Sequence, residues 1–144
     1  MKFIPWAKPK ISLQDKFYVK KALESKWISN GEFVEKFENK LKKYLKSKYV
    51  SSVSNGTAAL QLAYLALGLK PNDEILCPGY SYMAAANVAK QMHLKIKFVD
   101  VDKETFCLNL QNIKKNISEK TKAVVLVHNY GNACDLDLIS KFLK

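Results

Sequence analysis

The residues of this chain that are best placed for chemistry form a turn in front of an apolar helical segment. Residues 50 to 60 read VSSVSNGTAAL, so an apolar run stops at Ser54-Asn55-Gly56-Thr57 and a helical pattern begins at once. Such a turn directs unpaired N–H groups and the positive end of the helix dipole at one point, which favours a bound phosphate. Gly56 allows a ligand to approach the backbone closely, and Thr57 adds a hydroxyl donor.

This turn is not a known nucleotide signature by itself. It matches neither GxxxxGK[ST] nor GxGxxG, so it is neither a nucleoside-triphosphate loop nor a dinucleotide fingerprint. Many turns of this kind contain Gly-Thr simply because those residues cap a helix. On spacing alone, a helix cap and a phosphate site therefore both remain open.

A pair of tyrosines follows the next predicted strand. Residues 74–77 form an apolar strand pattern that ends at Pro78-Gly79-Tyr80-Ser81-Tyr82. Ligands of open α/β sheets bind at the carboxyl ends of the strands, where this turn is expected. One ring can face the core while the other faces the crevice, and an aromatic face beside a phosphate pocket suits a flat ring. Packing of both rings in the core is the alternative.

Hydrophobic periodicity predicts the elements that would position these turns. The N-terminal part gives helices over 12–26 and 32–46, a short buried strand over 49–53 and a helix over 58–69 that is apolar on nearly every side and hence predicted to be buried. The rest gives strands over 74–77, 95–99 and 123–128, alternating with helices over 84–92, 110–117 and from about 135. The segment AVVLVH at 123–128 is predicted to be a strand buried on both faces.

The alternation of strands and helices predicts an α/β fold with a mostly parallel sheet. We expect a helical arm over residues 1–48 in front of an α/β domain over 49–144. No internal repeat and no low-complexity segment interrupts this order. The fold class is therefore α/β, with two N-terminal helices preceding the sheet.

Charge and composition rank other functions low. The formal net charge is +11, yet all 24 basic residues are lysine. Arginine supplies the bidentate contacts that read guanine and clamp phosphate, and the lysines here are scattered at helical spacing. Nucleic-acid binding is therefore the last-ranked class. No apolar run approaches the roughly 18 residues of a membrane span. The N-terminus has no secretory signal, so a cytoplasmic location is expected.

The cysteines and histidines predict no special centre. Cys77, Cys107 and Cys134 are odd in number and far apart, which argues against a disulfide framework. His93 and His128 do not combine with them at metal-ligand spacing, so no metal site is expected. Buried or partly buried thiols are the prediction.

Several longer motifs carry a family resemblance. The segments SNGTAALQLAYLALGLKPNDEILCPGYSYMAAANVA, FVDVDKETF and ISEKTKAVVLVHNYG occur in this order, after WISNGEFVEKFENKLKKYL near the N-terminus. Together they closely resemble the DegT/DnrJ/EryC1/StrS family of sugar aminotransferases, which depend on pyridoxal phosphate and have the fold-type-I architecture. The resemblance runs from about residue 4 to the end of the chain. It implies that residues 49–144 are part of the large cofactor-binding domain.

The resemblance also implies roles for particular residues. Gly56, Thr57 and Ala58 correspond to the turn that holds the cofactor phosphate, and Tyr82 to the aromatic residue that stacks on the pyridine ring. The loop formed by Ser29, Asn30 and Gly31 lies where the family builds part of its sugar-nucleotide site. His128 and Tyr130 fall in the family's His-x-Tyr-Gly segment, to which the resemblance gives no role more definite than shaping the floor of the site.

The remaining family features lie beyond these motifs. The aspartate that pairs with the pyridine nitrogen and the Schiff-base lysine occur further along in family members, so we expect no catalytic residue in this chain and no transamination by it alone. We also expect uncovered strand edges and apolar faces, and hence aggregation, self-association or a need for another polypeptide.

The leading interpretation is the N-terminal portion of a nucleotide-sugar aminotransferase. The implied reaction moves an amino group, with glutamate as the expected donor, to a keto-sugar nucleotide for surface polysaccharide or glycan synthesis. The implied partner is a second copy of the chain or a complementing C-terminal chain. Two alternatives stay open: part of a pyridoxal-phosphate-dependent sugar dehydratase of the same family, and a non-catalytic binding remnant.

Overall fold

The structure, a computed structural model, describes residues 3–5, 7–27 and 29–144. The chain divides into two compact units, Met1–Ser52 and Val53–Lys144. The first unit is built from two helices, and the second contains a sheet with helices on both of its faces. In the structure, as predicted, the helical segments precede the sheet along the chain.

The first unit contains helices α1 (Leu13–Glu24) and α2 (Glu32–Leu45). Helix α1 starts where the sequence predicts, because Ser12 forms a reciprocal capping box: its hydroxyl accepts from the N–H of Asp15 at 3.2 Å, and its own N–H donates to the Asp15 carboxylate at 2.7 Å. Helix α2 is strongly amphipathic, yet neither helix contains a buried residue among those described. Both predicted helices are confirmed to within two residues at each end.

The strand predicted over 49–53 does not form. These residues have no regular secondary structure and belong to none of the described strands. Instead, the N–H and hydroxyl of Ser52 both donate to one carboxylate oxygen of Glu38, at 2.7 and 2.9 Å. The backbone hydrogen bond from Ser52 lowers the pKa of Glu38. The two valines of VSSV satisfied the strand pattern, but a carboxylate on α2 accepts from the Ser52 amide in place of a neighbouring strand.

The second unit contains a three-stranded parallel sheet with the order β2-β1-β3. The strands are β1 (Glu74–Pro78), β2 (Lys95–Val99) and β3 (Thr121–Val124). The helices are α3 (Gly56–Ala66), α4 (Ala84–Gln91), α5 (Leu110–Asn116) and α6 (Leu136–Leu143), and a 3-10 turn lies at Asn129–Gly131. The prediction of a parallel α/β sheet is confirmed.

Strand β1 is the centre of the core. Ile75 and Cys77 point to one face, where they pack with Tyr64 of α3 and Val88 of α4. Leu76 points to the other face, into a second cluster that includes Ile113 of α5 and Ile139 of α6. This alternation follows the two-residue period of a strand. Helices therefore cover both faces of the sheet, as predicted.

Two predictions of burial were wrong. Strand β3 spans Thr121–Val124 instead of 123–128, and none of its residues is fully buried. It pairs with β1 alone among the described strands, and the N–H of Val125 extends that pairing by a bond of 2.8 Å to the carbonyl of Leu76. Ala123 and Val125 pack against the cluster on one face of the sheet, and Val124 and Leu126 against the cluster on the other, so the run contacts both faces while each of these residues stays partly accessible at the edge of the sheet.

Helix α3 was predicted to be buried all round. Of its residues, all of which the structure describes, only Tyr64 is buried, while Leu62 and Leu65 are 46% and 57% exposed. The helix packs on α4 along one side, and the described residues leave the opposite side to solvent. Helix α3 therefore has more apolar surface than the described part of the chain covers.

The cysteines behave as predicted. Cys77, Cys107 and Cys134 are free and buried. Burial raises the pKa of the Cys77 thiol to about 11. Within the described ranges, no helix has both the length and the apolar character required to cross a bilayer.

Candidate cofactor site

The first turn of α3 leaves two backbone donors open. Asn55 caps the helix, and its side-chain oxygen accepts from the N–H of Ala58 at 2.9 Å. The helical ladder starts with the bond from Ala59 to the Asn55 carbonyl at 3.1 Å. Among the described residues, nothing accepts from the N–H groups of Gly56 and Thr57. Ala58 was also predicted to hold the cofactor phosphate, and in this structure its N–H donates to the Asn55 cap.

The space in front of Gly56 is open. A Cβ built on Gly56 would meet no atom within 4 Å, and its φ is not in the left-handed region. The fold itself therefore does not require glycine here. A missing side chain that the packing does not explain leaves room for a group that approaches the backbone, as a phosphate oxygen would.

Tyr82 faces the same pocket, and Tyr80 does not. Gly56, Thr57, Tyr82 and His128 line one depression whose floor is apolar. That floor is formed by Leu60, Ala84, Ala85 and the stretch Val125–Val127. Tyr82 is 86% exposed, so its ring is available to a ligand. The two tyrosines thus point in different directions, but neither is buried, because Tyr80 joins an exposed aromatic cluster with Phe106 and Tyr130.

One hydrogen bond fixes the two helices that carry this pocket. The buried hydroxyl of Tyr64, in α3, donates to the carbonyl of Ala85, in α4, at 3.2 Å. Burial of the ring is the main reason that the pKa of Tyr64 is raised to about 12. The bond holds the start of α4, next to Tyr82, against the helix whose first turn carries Gly56 and Thr57.

His128 is a pocket residue to which the sequence assigned no chemistry. It follows β3, and its ring nitrogen Nδ1 accepts from the backbone N–H of Cys134 at 3.0 Å. The bond joins residues six apart through a 3-10 turn, a spacing that no helix or strand period predicts. Only the His-x-Tyr-Gly motif drew attention to it.

The predicted sugar-nucleotide loop lies in the first unit. Asn30 and Gly31 adopt left-handed conformations, with φ of 57° and 92°. A Cβ on Gly31 would lie 2.5 Å from Cδ1 of Trp27, so the glycine is required by both conformation and contact. Trp27, Asn30 and Gly31 border an apolar pocket with Val19 and Leu23, and Ser29 is not among the lining residues. This contact gives a physical reason for the Trp-x-x-x-Gly spacing.

The sequence was compared with models of known protein families. It matches the model described as the DegT/DnrJ/EryC1/StrS aminotransferase family over residues 9–144. The chain belongs to this family. Its curated relatives include the GDP-perosamine synthase of Escherichia coli O157:H7, which is 41% identical over 145 residues. That alignment covers 100% of this chain and 40% of the relative, so the chain spans less than half of the relative's length.

Solved structures of the DegT/DnrJ/EryC1/StrS family share the fold. The Escherichia coli GDP-4-keto-6-deoxy-D-mannose-3-dehydratase with bound hydrated pyridoxal phosphate matches with a TM-score of 0.90 and 31% identity, over 96% of this chain and 37% of that one. A mutant GDP-4-keto-6-deoxymannose-3-dehydratase with bound GDP-perosamine matches with a TM-score of 0.91 and 31% identity, over 97% of this chain and 38% of that one.

Proposed function

We propose that this chain supplies the phosphate cradle and the ring-stacking residue of a pyridoxal-phosphate enzyme that acts on nucleotide sugars. The observation that carries the proposal is the pair of open N–H donors at Gly56 and Thr57 on the pocket of Tyr82, in a chain of the DegT/DnrJ/EryC1/StrS family. Because the chain spans 40% of the length of the Escherichia coli relative, the activity is proposed for the whole protein.

The chemistry of the pocket suits the cofactor. Two N–H groups and the Thr57 hydroxyl can bind a phosphate dianion at the positive end of α3. The apolar floor can accept the flat pyridine ring, and Tyr82 can cover its face. When bound, the cofactor supplies an electron sink for the amino-group chemistry. The chain's own residues hold it, orient it and exclude water from one of its faces.

The substrate assignment rests on the relatives. The reaction we propose is transfer of an amino group from glutamate to a keto-sugar nucleotide, since the 41%-identical relative is a GDP-perosamine synthase. Ser29, Asn30 and Gly31 are proposed to contribute to the sugar-nucleotide site, supported by the position of Asn30 and Gly31 on a pocket of the first unit. The proposed partner is a second copy of the chain or a complementing C-terminal polypeptide.

A second candidate is a sugar dehydratase of the same family. Two dehydratase structures match the chain with TM-scores of 0.90 and 0.91, which favours this reading as directly as the synthase favours amino transfer. Both reactions require the same phosphate cradle. Incubation of the whole protein with glutamate and a keto-sugar nucleotide separates them, because amino transfer leaves an amino sugar and dehydration leaves a deoxygenated keto sugar.

Binding of pyridoxamine phosphate tests the proposal. The aldehyde of pyridoxal phosphate reacts with lysines, and this chain has 24 of them. The amine form cannot react in this way, so calorimetry with it reports the pocket alone. Pyridoxamine without phosphate is the matched control ligand. We expect saturable binding of the phosphorylated compound, at least tenfold tighter than the control.

Two results would contradict the proposal. Equal affinities for pyridoxamine phosphate and pyridoxamine would show that Gly56 and Thr57 do not bind the phosphate. Absence of saturable binding by the folded chain would remove the cofactor site as a whole.

A further inference from the structure

The two nitrogens of the His128 ring are in different environments. Nδ1 accepts a hydrogen bond from the backbone N–H of Cys134 at 3.0 Å. A backbone amide can only donate, so Nδ1 must be the unprotonated nitrogen. The neutral imidazole therefore carries its hydrogen on Nε2. The fold selects one tautomer and makes the distal nitrogen a donor.

The residue that selects this tautomer is firmly anchored. Cys134 is 5% exposed and belongs to the core cluster that also contains Ile113 and Ile139. Its thiol lies 3.5 Å from the carbonyl oxygen of Val127, the residue before His128. The backbone on one side of His128 and the ring itself are thus both bonded to one buried residue. The exposed imidazole is therefore oriented by a bond to a buried residue.

The distal nitrogen of His128 belongs to the cofactor pocket. His128 lines the pocket of Gly56, Thr57 and Tyr82, and Nε2 has no hydrogen-bond partner within the described part of the chain. The phosphate donors of α3 lie on the same pocket. A cofactor that carries a phosphate and a ring hydroxyl oxygen offers one acceptor group to the α3 donors and a second to Nε2.

We propose that His128 binds the cofactor directly, donating its Nε2–H to the phenolic oxygen of the pyridoxal ring. The inference rests on the proposed function, since it deepens the description of the same pocket. With a phosphate at Gly56 and Thr57 and a fixed donor at His128, the ring is held at two points and its rotation about the phosphate ester is restricted. Tyr82 can then cover one defined face.

Two substitutions of His128 test the roles of its two ring nitrogens separately. In His128→Asn, the side-chain oxygen can take the place of Nδ1 and accept from Cys134, but no donor reaches the position of Nε2. In His128→Gln, the amide nitrogen can reach that position, but the acceptor for Cys134 is lost. We expect the Asn variant to keep its thermal midpoint and bind pyridoxamine phosphate about tenfold more weakly. The Gln variant should bind within about twofold of the unaltered chain and melt at a lower temperature.

Nitrogen NMR provides a readout that does not depend on binding. In chain labelled with ¹⁵N-histidine, the shifts of His128 should identify Nε2 as the protonated nitrogen, and addition of pyridoxamine phosphate should move Nε2 more than Nδ1.

An Nδ1–H tautomer would overturn the inference even if the variants failed to fold. Equal binding by the Asn variant and the unaltered chain, or equal loss in both variants, would also overturn it. If the unaltered chain bound no pyridoxamine phosphate, the proposed function itself would fail, and the contact to His128 with it.

Discussion

The hydroxyl oxygens of Tyr80 and Tyr130 lie 2.7 Å apart and share one hydrogen bond. Both rings also contact Phe106, at centroid distances of 5.6 and 6.0 Å. The side chain of Asn129 donates to the carbonyls of Tyr80 and Phe106 at 3.0 and 2.6 Å. The loops that follow β1, β2 and β3 are therefore joined to one another. Tyr82 and His128, each two residues from a member of the phenol pair, face the ligand side.

The phenol pair can be tested through the ionisation of Tyr130. The hydrogen bond to Tyr80 is the largest cause of the raised pKa of Tyr130, because it stabilises the protonated phenol. We therefore expect Tyr80→Phe to lower the pKa of Tyr130 toward the ordinary tyrosine value. Chain labelled with ¹³C at the tyrosine ring carbon that bears the hydroxyl allows each tyrosine to be titrated by NMR. Tyr82→Phe is the matched control and should leave Tyr130 unchanged. The same Tyr130 pKa in the Tyr80→Phe variant would refute the pairing.

The Tyr64–Ala85 bond predicts a specific loss of stability in alkali. The folded pKa of Tyr64 is about 12, and the ordinary value is 10.0, so between these pH values the unfolded chain loses this proton first. The contribution is thus fully present below pH 10 and is lost as the pH rises toward 12, by about 1.4 kcal/mol per pH unit. Tyr64→Phe should remove this part of the slope and cost about 1 kcal/mol at pH 8.

Urea unfolding followed by circular dichroism at pH 8 to 11 measures both effects. Cys77, whose pKa is raised to about 11, titrates in an overlapping window, so the comparison is the difference between the unaltered chain and the Tyr64→Phe variant. The lysines contribute alike to both chains and cancel, whereas the charge of Cys77 also raises the pKa of Tyr64 and belongs to the effect that Tyr64→Phe removes. Parallel slopes for the two chains would show that the Tyr64 hydroxyl is not desolvated in solution.

Gly31 should not tolerate a side chain. In Gly31→Ala the new Cβ would lie 2.5 Å from Cδ1 of Trp27 at a φ of +92°, so the indole must move and the backbone is strained. Gly68→Ala is the matched control, because Gly68 has a φ of +70° but no atom within 4 Å of a Cβ. We expect a displaced Trp27 indole N–H signal in the first variant only. An indole signal that does not move in Gly31→Ala would contradict the packing of the Trp-x-x-x-Gly loop.

Gly56→Ala should separate binding from stability. The Cβ would meet no protein atom within 4 Å, and the backbone conformation is allowed for alanine, so the free energy of unfolding should stay equal or rise by up to about 1 kcal/mol. The methyl group would occupy the space through which a phosphate approaches. We expect at least tenfold weaker binding of pyridoxamine phosphate by calorimetry. Unchanged affinity would place the phosphate elsewhere.

The sequence predicted helices and strands best where residues at their own ends, such as a capping residue, mark where they begin or stop. Strand β2 has the predicted bounds, and the capping box at Ser12 fixed the start of α1. Helix α3 begins at Gly56 instead of residue 58, because Asn55 caps it and the cap bonds to Ala58. The strand at 49–53 and the buried strand at 123–128 failed because partners across a sheet, and not the segment itself, decide pairing and burial.

The sequence predicted the part of the candidate site where the family motif and the open N–H groups at a helix start indicate the same residues. The turn at Gly56 and Thr57 and the aromatic ring of Tyr82 come together on one pocket. The cap at Ala58 is a local bond to Asn55 three residues earlier, whereas the fixed tautomer of His128 could not be read from spacing, because it depends on where the Cys134 amide lies in three dimensions.

The most direct test of the cradle is the amide spectrum of ¹⁵N-labelled chain during addition of pyridoxamine phosphate. The N–H groups of Gly56 and Thr57, which have no acceptor among the described residues, should shift downfield and saturate with the calorimetric affinity. The N–H of Ala58, already bonded to Asn55, should move less. Pyridoxamine without phosphate should not produce these shifts. Unmoved Gly56 and Thr57 signals, with shifts instead at scattered lysines, would contradict the account.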